Sequence, residues 1–149
     1  MRTKKIISVS IIVGVLCLTA LSASAGERVD TVSQKGFKGT VDAVTKAVKS
    51  RGMMVVATID HQNMLTMVGT KIAGSKTIEF GKPDMGKMVL TMDPGAGLDM
   101  PGKIYVFEKD GRTTVSYSKT DFARYNPGFS EVDKMMGMMV AEIVKEATQ

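Results

Sequence analysis

The spacing of apolar residues along this chain switches repeatedly between the helical and the strand period, which restricts it to folds that lay helices against a sheet. Val41, Val44 and Val48 recur at helical spacing, with Thr40 as the expected N-cap and Gly52 where a left-handed C-terminal residue belongs. The run Met53 to Ile59 is short, apolar and β-branched, and reads as a largely buried strand; Arg28 to Ser33 reads as a weaker one before it. Asp60 is placed to cap a short helix in which His61, Met64, Leu65 and Val68 share a face, ended by Gly69.

The alternation continues to the C-terminus. Thr77 to Phe80 alternates polar and apolar, as a strand with one wet face does. Met85, Met88, Val89 and Met92 form a short helical stripe, and Asp93 to Gly102 is a loop by its Gly and Pro content. Ile104 to Glu108 and Thr113 to Ser118 are two strands joined around Asp110-Gly111, a strong hairpin signal. Ser130-x-x-Asp133 resembles a capping box opening a last helix. Its expected core face is Val132, Met135, Met136, Met139, Val140, Ile143, Val144 and Ala147, with Met138 off the stripe. The order β-α-β, short helix, β, short helix, β-β, α predicts an α+β fold, its helices covering one face of a mostly antiparallel sheet.

The N-terminus reads as an address. Met1-Arg-Thr-Lys-Lys5 is basic, Ile6 to Leu21 carries no charge, and Ala23-Ser24-Ala25 offers small-x-small. Those three regions describe a cleaved secretory signal peptide over residues 1–25, with residues 26–149 as one mature domain, periplasmic or secreted. The apolar run is short for a span and followed by a cleavage site, so no stable membrane insertion is expected after processing. Cleavage removes Arg2, Lys4, Lys5 and Cys17, lowering the net charge from +5 to +2 and leaving no thiol. A nearly neutral domain with scattered lysines argues against a nucleic-acid partner. Twelve of the 13 Met remain.

Several short segments also resemble one known family. They are Gly36-Phe37 through the first helix, Val55 to Asp60-His61, Phe80-Gly-Lys-Pro83, Leu98-Asp-Met-Pro101, Val106-Phe-Glu108, and Asp110-Gly111 with Val115-x-Tyr117. In that order and spacing the chain resembles the domain of unknown function 302 family from about Thr31 to Phe122. The resemblance implies a two-layer α/β sandwich of β-α-β(4)-α-like order and a homodimer, often exported. It implies no activity.

Chemistry starts from few residues. His61 is the only imidazole, and with Met64 at i+3 it offers a nitrogen and a thioether, which suits copper(I) or a haem b with axial His. Met67 would extend that site with a second sulfur. Covalent haem is excluded, because Cys-x-x-Cys-His is absent. Met pairs three apart recur, yet Met on helix stripes packs well, so most are expected in the core or an interface. No nucleophile elbow, phosphate loop or H-E-x-x-H occurs, and no catalytic residue stands out. Asp84, Asp93 and Asp99 are expected in turns or caps, while Tyr105 and Tyr117 can line a pocket or pack. The reading is a non-enzymatic ligand-binding domain, for haem or copper. The alternatives are a dimeric structural or partner-binding protein and, less favoured, a small periplasmic enzyme.

Overall fold

The structure, a computed structural model, describes residues 26–149. The expected signal peptide with Cys17 lies outside the described residues. Five strands, β1 (Arg28–Val32), β2 (Met54–Asp60), β3 (Ser75–Gly81), β4 (Gly102–Lys109) and β5 (Arg112–Ser118), form one antiparallel sheet in the order β1-β5-β4-β3-β2. Four helices, α1 (Phe37–Ser50), α2 (His61–Thr66), α3 (Pro83–Met92) and α4 (Ser130–Thr148), lie between and after the strands in the expected order. The α+β sandwich is therefore as the apolar periods require.

Register sorts the side chains by face. Ile78 pairs with Ile104, and Val106 with Val115, so these four point the same way. With Phe80 they are buried against Val44, Ala47 and Val48 of α1 and Val140, Ile143 and Val144 of α4 in one core. The opposite parity, with Thr77 beside Tyr105 and Tyr105 beside Ser116, forms the other face of the sheet. Asp110 and Gly111 both have positive φ, 52° and 72°, which is how a two-residue loop matches the twist of β4 and β5.

The ends of α1 show how local chemistry sets a boundary. Gly52 has φ 68°, its N–H reaches the Lys49 carbonyl, and the Met53 N–H reaches Val48 at 3.3 Å. That is a Schellman cap, with Met53 buried behind it. The N-terminus differs from the expected one: α1 begins at Phe37, and Thr40 is buried inside it. The Thr40 hydroxyl lies 2.8 Å from Ser33 Oγ and so ties α1 to the end of β1, rather than capping the helix.

Three other expectations are corrected. β2 is an edge strand, not a buried one; Met54 and Val56 are both exposed, and a bulge interrupts its pairing between Val55 and Ala57. The residue before α4 is Phe129, and the Ser130 hydroxyl turns back to the Pro127 carbonyl at 2.9 Å, so no capping box forms. Met135 is exposed although it falls on the α4 stripe; Met136, one residue on, is buried. Met138 is exposed as expected.

Candidate functional site

The five-stranded sheet leaves a hollow at one end of its helix-covered side. β3 stops at Gly81, and Pro83 at the first turn of α3 swings the chain away from the sheet. The chain returns through a 3-10 turn over Pro94–Asp99 before entering β4. Between these segments, the start of β2 and the N-terminal half of α4 lies a cavity of about 470 Å³. That volume is in the range of small-molecule sites. Its walls are Met54 and Val56 of β2, Phe80, Met85, Val89 and Leu90, Met100 from the turn, Phe122, and Val132 with Met136 of α4. Gly86 and Gly97 contribute backbone only, which keeps the space open. A Cβ on Gly86 would stand 3.5 Å from Met100 Cε, in ordinary contact with it, so a longer side chain here would enter the space beside Met100.

Four thioethers, from Met54, Met85, Met100 and Met136, therefore meet in one apolar lining. Flexible, polarisable side chains of this kind adapt to varied apolar shapes. Polar side chains are few. Asp99 forms an ion pair with Arg124, and the Thr120 hydroxyl donates to the Asp133 carbonyl at 3.4 Å. Lys82 is the remaining charge in the lining.

The expected site residues lie elsewhere. His61 opens α2 at the far end of β2 and meets Thr77 and Tyr105, which have the parity opposite to the core residues Ile78 and Ile104. Its Nε2 shares a hydrogen bond of 2.8 Å with Thr77 Oγ1, and its ring meets Tyr105 edge-on at 5.8 Å. Tyr105 stacks on Phe107 at 5.2 Å, and the Arg28 guanidinium covers Phe107 at 5.9 Å. The Tyr105 hydroxyl is 2.7 Å from Ser75 Oγ. His61 thus ends a column across the sheet in which each ring is already covered by a neighbour. Only Nδ1 remains free of that bonding.

Met64 is 51% exposed and Met67 73%, and no residue of α2 is buried. The apolar side chains beside His61 are exposed and do not enclose a macrocycle-sized pocket, so the surroundings do not fit haem b. Among the described residues no group of three His, Cys, Asp or Glu side chains could hold a metal ion. Asp60 does cap α2, as expected: its carboxylate accepts the Asn63 N–H at 2.9 Å and pairs with Lys76 at 3.0 Å. The Asn63 amide first, and Lys76 second, hold its carboxyl below the usual range. A depressed carboxylate stabilises the fold above its unfolded pKa, about 3.9, and that help is lost as pH falls through the lower folded value. Asp60→Asn should therefore flatten the acid limb of stability below about pH 4. Urea midpoints from pH 3 to 7 that fall in parallel for variant and parent would contradict the bond.

Asp93 takes the turn role expected of it, accepting the Gly95 N–H at 2.8 Å. Tyr105 packs in the column and Tyr117 against the core.

Residues 29–147 match the family described as Domain of unknown function DUF302. The chain belongs to the DUF302 family. Among solved structures, its fold is similar to that of an uncharacterized conserved DUF302 protein from Bacillus stearothermophilus, with a TM-score of 0.74. The two share 17% identity over 82% of this chain and 98% of the other, a likeness of fold. No curated protein matches. Two of the stretches by which the sequence resembles DUF302 reach the cavity: Phe80 to Pro83, and Leu98 to Pro101 through its last three residues. Nothing in those stretches marks a cavity, and the sequence reading centres on His61, Met64 and Met67 instead. Among the described residues no helix is long and apolar enough to cross a membrane.

Proposed function

We propose that this DUF302 protein is a non-enzymatic binding domain that holds an apolar small molecule in the methionine-lined cavity. The observation that carries the reading is the lining itself: about 470 Å³ bounded mostly by apolar side chains, with Lys82 the one charged side chain there that makes no ion pair among the described residues. A concave, mostly apolar surface of that size with few polar groups is the usual form of a small-molecule site.

Gly86→Leu is the test. The substitution replaces a glycine inside a helix, which favours folding by roughly 0.5–1 kcal/mol, and drives a side chain toward Met100. Displacement of a fluorescent apolar probe should be lost in the variant while its melting temperature is held or raised. Undiminished probe binding by a folded Gly86→Leu protein would place the ligand elsewhere and sink the reading.

A second reading has one observation behind it. Thioethers select soft metal states, and four of them line the same cavity. Copper(I) would then sit among Met54, Met85, Met100 and Met136 rather than at His61 and Met64. Metal analysis after copper(I) loading of parent and Met100→Leu separates the two readings, since a leucine keeps the apolar cavity and removes a ligand. The proposal also includes export, with a mature start at Gly26, and assembly as a homodimer. An intact mass that retains residues 1–25, or a monomer in solution, would count against those parts.

A further inference from the structure

We infer that the ligand of the cavity is an anionic amphiphile, an apolar chain ending in an acid, and that Lys82 selects it. The inference rests on the cavity reading above and adds the chemistry of the ligand's polar end. Three side chains in the lining carry full or strong polarity, and two of them are already answered: Asp99 by Arg124, Thr120 by the Asp133 carbonyl. Lys82 makes no ion pair within 4.0 Å among the described residues. What the walls leave open to a ligand is therefore one cation at the edge of an apolar space.

The position of Lys82 strengthens the point. It is the N-cap of α3 and makes no side-chain capping bond. Ser, Thr, Asp and Asn are favoured there, and a cation at a helix N-terminus opposes the dipole. Local structure thus disfavours lysine at this site, and such breaks of a local rule are expected where a residue serves binding. A long side chain with an apolar stem also suits the edge of the cavity, the stem covering apolar wall while the ammonium stays in water. A carboxylate or phosphate head beside that ammonium would make a charge-assisted contact at the rim while the chain fills the apolar space.

Dodecanoate, dodecanol and dodecyltrimethylammonium, each below its aggregation threshold and at a pH where the acid is ionised, are the probes. They compete for the fluorescent probe on the full mature protein, on Lys82→Gln and on Lys82→Glu. Dodecanoate should bind the parent about tenfold more tightly than dodecanol, a difference of one charge-assisted contact. Lys82→Gln should erase that gap without changing dodecanol, and Lys82→Glu should move the preference to the ammonium. The substitutions leave the fold intact, because Lys82 is exposed and uncapped. Equal affinity of parent for acid and alcohol would overturn the assignment of Lys82 and leave the cavity reading standing. Failure of every amphiphile to displace the probe would overturn both. Retention on anionic vesicles with the cavity probe still bound would also overturn it, since the charge would then serve a membrane surface.

Discussion

Phe80→Ala is expected to cost about 3–5 kcal/mol of stability, the largest effect of any single substitution considered for this fold. Phe80 lies on the interior strand β3, between β4 and the edge strand β2, and is 1% exposed. Its ring rests on Gly102 of β4, where an added Cβ would stand only 2.9 Å from Cζ. Gly102 is the partner of Phe80 in the register, so the two strands leave room for the ring by omitting a side chain opposite it. Truncation removes the ring's contacts with both sheet and helices, and Gly102 has no side chain with which to close the space. The ring is also one wall of the ligand cavity. A folded Phe80→Ala protein should therefore accept bulkier apolar probes than the parent, even as its urea midpoint falls. A loss under about 1 kcal/mol would mean that the ring is not packed between the layers as described.

How much of this was legible beforehand follows from the range of each signal. The hairpin was, because Asp110-Gly111 requires only two neighbouring residues in the left-handed region. The α4 stripe was too, apart from Met135, because a helix of that length fixes its own apolar face. The edge position of β2 was not. Met53 to Ile59 is equally apolar whether both faces are covered or only one is, and nothing in the run marks that Met54 and Val56 are left exposed while Val55 packs on the core. The stripe of α3 was visible, but not what it faces: Met85 and Val89 line a hollow, while Met88 and Met92 are exposed.

The cavity itself draws on β2, β3, α3, a 3-10 turn and α4, segments far apart in the chain, so no spacing could reveal it. His61 stood out by being the only histidine. Its partners, Thr77 and Tyr105, come from two later strands, and only the folded sheet shows that they occupy it in a packed column.

Asp133→Ala is the second large effect, and it concerns how the wall of the cavity is held. The pairing of Ser130 with Asp133 at i+3 looks local, but the Asp133 carboxylate instead accepts the N–H groups of Phe122 and Ala123, each at 2.8 Å. Two backbone donors on one carboxylate are charge-assisted bonds, and both donors would be left without that partner after truncation. The Asp133 carboxylate is half-buried, so solvent recovers part of the loss, and about 2–4 kcal/mol is expected. Phe122 is buried and lines the cavity, and Val132, the residue before Asp133, lines it too. Releasing the segment that carries Phe122 should thus weaken probe binding beyond what the lower stability alone predicts. Asp133→Asn keeps one acceptor oxygen and should fall between parent and alanine in both readouts. If Asp133→Ala lowered stability yet left probe affinity unchanged in the folded fraction, the bonds would be structural and Phe122 would not be part of the binding wall.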